Sequence, residues 1–249
     1  MNPIASALAK PLRLVGRVPF PRQLAEGVSR PPWSWRAAAL AVFVAFAGFS
    51  LLERAFNSYL PGGWWGALFP TLIAHLPMLC ALGYLAHGAG TSVTDVFGLR
   101  GARVTAVLAS AIVLWILLML LRGAAGVMLS SLGFGMGANA GQGVDRQAVP
   151  SVFAFIDIVV WGPICEELAC RALLYTSLRT RFGITLSSVV TAAAFTWMHD
   201  PDSIPVAGAC FVPAVLSSLW YERTRSLWPN IVSHSLLNLS CALVRLIRL

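Results

Sequence analysis

Long apolar stretches separated by short polar breaks run through most of this chain. A bilayer core roughly 30 Å thick is crossed by about 20 helical residues. At that length the pattern predicts seven spans, at approximately 37–52, 64–87, 104–121, 151–178, 184–199, 205–221 and 227–247. The expected fold is all-α, a polytopic transmembrane helical bundle. Residues 1–35 precede the first apolar run and scatter Pro3, Pro11, Pro19, Pro21, Pro31 and Pro32 among basic residues, so they read as a tail, with 36–249 as the transmembrane domain. The charged region is too long for a cleavable signal peptide, and no short apolar core precedes a small-residue cleavage site.

Composition agrees with the pattern. Of 249 residues, 57% are hydrophobic and 11% charged, with a mean hydropathy of +0.74. A soluble domain carries about 25% charged residues, so this chain has too little polar surface to cover a water-facing globule. Disordered, collagenous and disulfide-stapled classes are excluded by the same figures. Cys80, Cys165, Cys170, Cys210 and Cys241 all fall in apolar stretches without zinc-module spacing and read as small buried hydrophobes.

Charge sets the orientation. The chain has 18 basic and 10 acidic residues, a net +8. Lys10, Arg13, Arg17, Arg22, Arg30 and Arg36 lie in or just after the tail, opposed only by Glu26. Alternate connections carry Arg100 and Arg103, Arg179 and Arg181, and Arg223 and Arg225, whereas the opposite set carries Arg54, then Arg122 and Arg146, then none. This bias puts the N-terminus in the cytoplasm and the tail against anionic headgroups. Nothing beyond charge supports nucleic-acid binding. Seven spans place Arg245 and Arg248 outside, whereas an eighth span or a re-entrant segment within 123–150 would reverse the later half. That stretch holds Gly133, Gly135, Gly137, Gly141 and Gly143 and reads as an irregular connector.

Ionisable residues inside a span are expensive and mark function. The fourth span holds Asp157, Glu166, Glu167 and Arg171, the fifth ends at His199, and the seventh holds His234 and Asn238. At 100° per residue, Glu167 and Arg171 lie within about 40° of each other and can pair, while Glu166 points about 140° away from Arg171. Glu167 is thereby neutralised and Glu166 is left free to act as a general base or acid. Gly162 and Pro163 loosen the helix just before the pair. Asp157, more than two turns from Glu166, reads as structural. Asp200-Pro201 should stop the fifth helix at His199, and the i,i+4 spacing of His234 and Asn238 puts both on one face. His75 and His87, without polar company, read as helix-packing residues.

Three motifs in order, Glu166-Glu167-Leu-Ala-Cys-Arg171, Phe195-Thr-Trp-Met-His199 and His234-Ser-Leu-Leu-Asn238, resemble those of the CPBP family. These are the CAAX-protease and bacteriocin-processing intramembrane peptidases, also called Abi. Tyr221 to His234 is similar to the family's approach to its last motif, but has Arg225 where Gly is common and lacks a small residue between Trp228 and Pro229. The resemblance covers about 150–240. It implies an intramembrane endopeptidase with its active site between spans 4, 5 and 7. Glu166 and His199 would activate water, His234 and Asn238 would stabilise the oxyanion, and Glu167 and Arg171 would support the site. It implies no cofactor. Zinc held by Glu166, His199 and His234 is the less favoured alternative, because no H-E-x-x-H helix is present.

The expected partners are the lipid bilayer and a membrane-associated peptide or protein substrate, and the expected setting is a prokaryotic cytoplasmic membrane. Two readings compete with the peptidase. A proton-coupled transporter would use Glu166 and His199 as a relay, although no internal repeat is evident. A non-catalytic scaffold or immunity protein would not need the complete set of motif residues.

Overall fold

The structure is a computed structural model that describes residues 33–59, 103–135 and 152–247, with positions 80, 83, 84, 87, 94, 98 and 99. Residues 1–32 of the expected tail, His75, Arg146 and nearly all of the 64–87 span lie outside the described residues. Among the described residues all regular structure is helical. α1 spans Trp35–Tyr59 and α2 Val104–Ser131. A continuous rod follows: α3 (Val152–Ile156), a π-helical turn (Asp157–Trp161), α4 (Gly162–Glu167) and a second π-helical stretch (Leu168–Tyr175). It runs into α5 (Thr176–Met198), and α6 (Ile204–Thr224) and α7 (Trp228–Ile247) complete the fold. α2 and α6 are long and apolar enough to cross a membrane.

Two boundaries differ from the sequence expectation. α2 continues past Gly123 and Gly126 to Ser131 and turns only at Gly133, where φ is +88°. Each helical glycine costs about 1 kcal/mol, which packing offsets here. Leu129 sits so close to Gly208 of α6 that a Cβ there would meet its Cδ1 at 2.3 Å. Arg122 is therefore inside a helix and not in a connection. The expected loop 179–183 narrows to one break in α5, at Gly183 (φ 74°, ψ −180°).

The helices are joined as membrane helices commonly are, by close small residues and hydroxyl hydrogen bonds. Trp220 Nε1 donates to Ser110 Oγ at 2.9 Å, so α6 runs antiparallel to α2, with Gly208 against Leu129 at the other end. Trp115 Nε1 donates to Ser240 Oγ at 3.2 Å and ties α7 to α2. The core is a cluster around Leu168, Ala172, Leu173, Tyr175 and Leu178, closed by Ala38, Tyr221, Leu227 and Ile231. Ile112, Ile116, Leu120 and Val127 of α2 stay exposed, as an outer face against lipid requires.

The arginine-rich connections meet at one end. Trp33 Nε1 donates to Ser177 Oγ at 2.8 Å, Leu227 N to Gly98 O at 3.2 Å and Trp228 Nε1 to Leu99 O at 2.9 Å. Glu222 pairs with Arg179 and Arg225 and accepts a hydrogen bond from Tyr175 at 2.9 Å. α2 leaves this basic end at Val104, and the rod that starts at Val152 reaches it by Ser177. Ser131 and Val152 thus share the far end, and the later half of the bundle is not reversed relative to the earlier half.

Candidate active site

The rod positions the two glutamates through its irregularities. Pro163 has no N–H, and its ring would clash with a carbonyl one α-turn back. The preceding turn widens instead, and the Gly162 N–H reaches five residues back to Asp157 O. In that register the missing Pro163 N–H would have bonded Ile158 O. Asn238 supplies the substitute, its Nδ2 donating to Ile158 O at 2.8 Å. Gly162 also leaves room beside Glu166, because a Cβ there would stand 3.1 Å from Asp157 O and 3.7 Å from Glu166 Oε1. Asp157 itself opens the widened turn and is half-buried.

The two carboxylates differ as their spacing predicts. Glu167 Oε1 accepts from Arg171 Nη1 at 3.0 Å, and both side chains are only 2% exposed. Arg171 also reaches Ala214 O of α6 at 3.4 Å and lies over the Phe195 ring, 4.9 Å from its centroid. The Glu166 side chain keeps 22% exposure, and its Oε2 stands 3.7 Å from the Nε2 atoms of both His199 and His234. One carboxylate is sealed into an ion pair, and the other faces two imidazoles.

Each imidazole is held by its other nitrogen. His199 terminates α5, followed by Asp200 at φ 43°. Its Nδ1 lies 2.8 Å from Phe195 O. A carbonyl only accepts, so Nδ1 donates this bond, and Nε2 is the nitrogen that faces Glu166. His234 Nδ1 lies 3.0 Å from Glu167 Oε1. The Phe195 ring wedges between the two, with centroid distances of 4.3 Å to His199 and 5.9 Å to His234.

Glu166, Glu167, Arg171, His199 and His234 thus converge, and Asn238 adjoins them through the widened turn. Sequence reasoning missed Asn230, which precedes His234 by the same four residues that separate His234 from Asn238. Asn230 is fully buried, and its Nδ2 donates to Ser217 O at 2.8 Å and to Ser217 Oγ at 2.7 Å. Its amide also belongs to the surroundings of the Glu167 carboxylate. Repeating the i,i+4 test one step upstream would have found it.

Some readings are corrected. Cys165 and Cys170 are buried and Cys210 and Cys241 half-buried, but Cys80 is exposed. His87 is exposed too, which removes the helix-packing reading there. Two imidazole nitrogens and a carboxylate oxygen form a donor set of the kind zinc takes. The described residues nonetheless contain no group of three such side chains spaced to hold a metal ion.

Residues 148–240 match the model of the Rce1-like family, described as type II CAAX prenyl endopeptidase. This match covers all three motifs and supports the resemblance of that segment to the CPBP/CAAX proteases, a family of membrane-embedded hydrolases. No curated protein and no solved structure matches the chain.

Proposed function

We propose that the chain is a metal-free, glutamate-dependent intramembrane endopeptidase that cleaves a membrane-anchored peptide or protein near its C-terminal end. The observation that carries this reading is the position of Glu166 Oε2, 3.7 Å from both His199 Nε2 and His234 Nε2. That gap is too long for a direct hydrogen bond and is of the size a bridging water closes.

In this mechanism the water donates one hydrogen to Glu166 and the other to His199 Nε2. As its oxygen bonds to the substrate carbonyl carbon, one proton passes to Glu166 and the carbonyl oxygen becomes an oxyanion. Collapse of the tetrahedral intermediate breaks the C–N bond, and the proton on Glu166 goes to the leaving amine. The products are a carboxylic acid and an amine. His234 donates to the oxyanion through Nε2–H when its ring carries both protons. Asn238 has one amide hydrogen on Ile158 O and offers the other. Removing such a donor typically costs about 10²–10³ in rate. Glu167 and Arg171 fix the orientation of His234.

The basic end formed by Gly98, Leu99 and Arg103 with 177–183 and 222–228 faces the cytoplasm in this reading, with the N-terminus on the same side of a prokaryotic cytoplasmic membrane. Seven spans complete the bundle. The test is turnover of a membrane-anchored peptide by purified wild type and by Glu166→Gln, His199→Ala and His234→Ala. Each variant is expected to lose at least about 10²-fold, and wild-type rates in all three would overturn the proposal. Zinc-reversible inhibition by EDTA or phenanthroline would replace the metal-free mechanism with a metal-dependent one.

A further inference from the structure

Arg122 has no role in the mechanism above, yet it is a cation well inside a 28-residue apolar helix. It falls on the inward face of α2, four residues after buried Leu118 and three before buried Ala125, and is itself half-buried. The register of α2 with α6 runs from Ser110–Trp220 to Leu129–Gly208, so Arg122 faces the stretch of α6 that holds Cys210. The surroundings of the Cys210 thiol include both the Arg122 guanidinium and the Glu166 carboxylate. Phe211, the next residue after Cys210, packs on the buried cluster that holds Phe195, whose ring lies against His199. Arg122 and Glu166 thus share Cys210 as a neighbour.

A lone guanidinium in hydrocarbon costs a few kcal/mol and is retained for pairing or function. Among the described residues no carboxylate pairs with it, and a thiol is no counter-charge. Resting on the endopeptidase reading, we propose that Arg122 binds the free C-terminal carboxylate of the substrate. A C-a-a-X end places its lipidated Cys three residues before that carboxylate, a reach of about 10 Å in extended chain. A bond cut near the Cys at Glu166 leaves the chain end close enough to meet a cation that shares Cys210 as a neighbour. Arginine suits this task because its planar fork takes a carboxylate bidentately.

The test uses the full chain in lipid nanodiscs, with a fluorescent prenylated C-a-a-X tetrapeptide made as the free acid and as the C-terminal amide. Binding is read in a Glu166→Gln background, so that turnover is not needed. The acid is expected to bind about 10–100-fold more tightly than the amide. Arg122→Gln should bring the ratio near one, and Arg122→Lys should keep part of it. An acid preference that survives Arg122→Gln, no preference with Arg122 present, or no binding of either peptide would overturn the proposal. If the acid preference depends on Arg122 while the Glu166 protein cleaves neither peptide, the carboxylate site stands and the endopeptidase reading fails.

Discussion

His234 Nδ1 and Glu167 Oε1 lie 3.0 Å apart, joining α7 to the rod at the same oxygen that holds Arg171. Glu167→Gln would weaken this node and leave Arg171 buried without its counter-charge. Breaking a buried pair from one side costs about 3–5 kcal/mol. Glu166→Gln loses no direct hydrogen bond to either imidazole, whose Nε2 atoms stand 3.7 Å away. Thermal unfolding in detergent should show Glu167→Gln strongly destabilised and Glu166→Gln close to wild type, although both lose activity. Equal destabilisation would contradict the assignment of separate roles to the two carboxylates.

Asn230 links α7 to α6 directly below this node. Asn230→Ala removes both hydrogen bonds to Ser217 and leaves the Ser217 hydroxyl and carbonyl without that donor, at a cost of about 1–3 kcal/mol. Ser217→Ala removes only the hydroxyl and should cost less. If Asn230 positions His234, Asn230→Ala lowers kcat more than it raises KM. A variant with lowered stability but unchanged kcat would confine Asn230 to packing.

Arg225 occupies a left-handed backbone position, with φ 53° and ψ 16°, at the end of α6. A residue with a Cβ pays about 1–2 kcal/mol there relative to glycine. The partly exposed ion pair with Glu222 returns less than about 1 kcal/mol. Arg225→Gly should therefore be neutral or stabilising, and Arg225→Ala less stable than Arg225→Gly by about 1 kcal/mol. The facing residue behaves oppositely. Gly98 has φ +64°, and a Cβ on it would lie 2.5 Å from Arg225 O, so Gly98→Ala should destabilise more than either change at 225. Melting temperatures of the three variants check the order.

Spacing made part of the site legible in the sequence. Four residues separate Glu167 from Arg171, and the helix brings them into contact whatever surrounds them. Asp200-Pro201 ends α5 at His199 because proline biases the preceding backbone away from the helical region. Gly162 and Pro163 pointed to a loosened helix, but the widened register itself was not legible, because apolar periodicity does not separate an i+4 from an i+5 register when a helix is apolar on every side. The glycines from 133 to 143 marked a connector, but its expected start at 123 was too early. The helix runs on to Ser131, where the fit of Leu129 over Gly208 is a tertiary term that no window in the sequence contains. Arg122 was misplaced by the same error, since the boundary of the span decided whether its charge belonged to a loop or to the bundle.

The hydrogen bond from Asn238 to Ile158 O has an origin that a double-mutant cycle can isolate. Pro163 removes the N–H that would reach Ile158 O in the widened turn, and Asn238 Nδ2 takes its place at 2.8 Å. Asn238→Ala alone leaves a carbonyl without its donor and should cost about 1–3 kcal/mol. In a Pro163→Ala background the backbone supplies a donor again, either to Ile158 O or by closing the turn to an ordinary α-helix. The loss on adding Asn238→Ala should then shrink by about 1 kcal/mol or more, within the range measured for residues in one hydrogen-bond network. Strict additivity would mean that Asn238 does not compensate for the proline. Activity separates the two roles of this amide: if the second N–H also serves the oxyanion, the double variant recovers stability but not turnover.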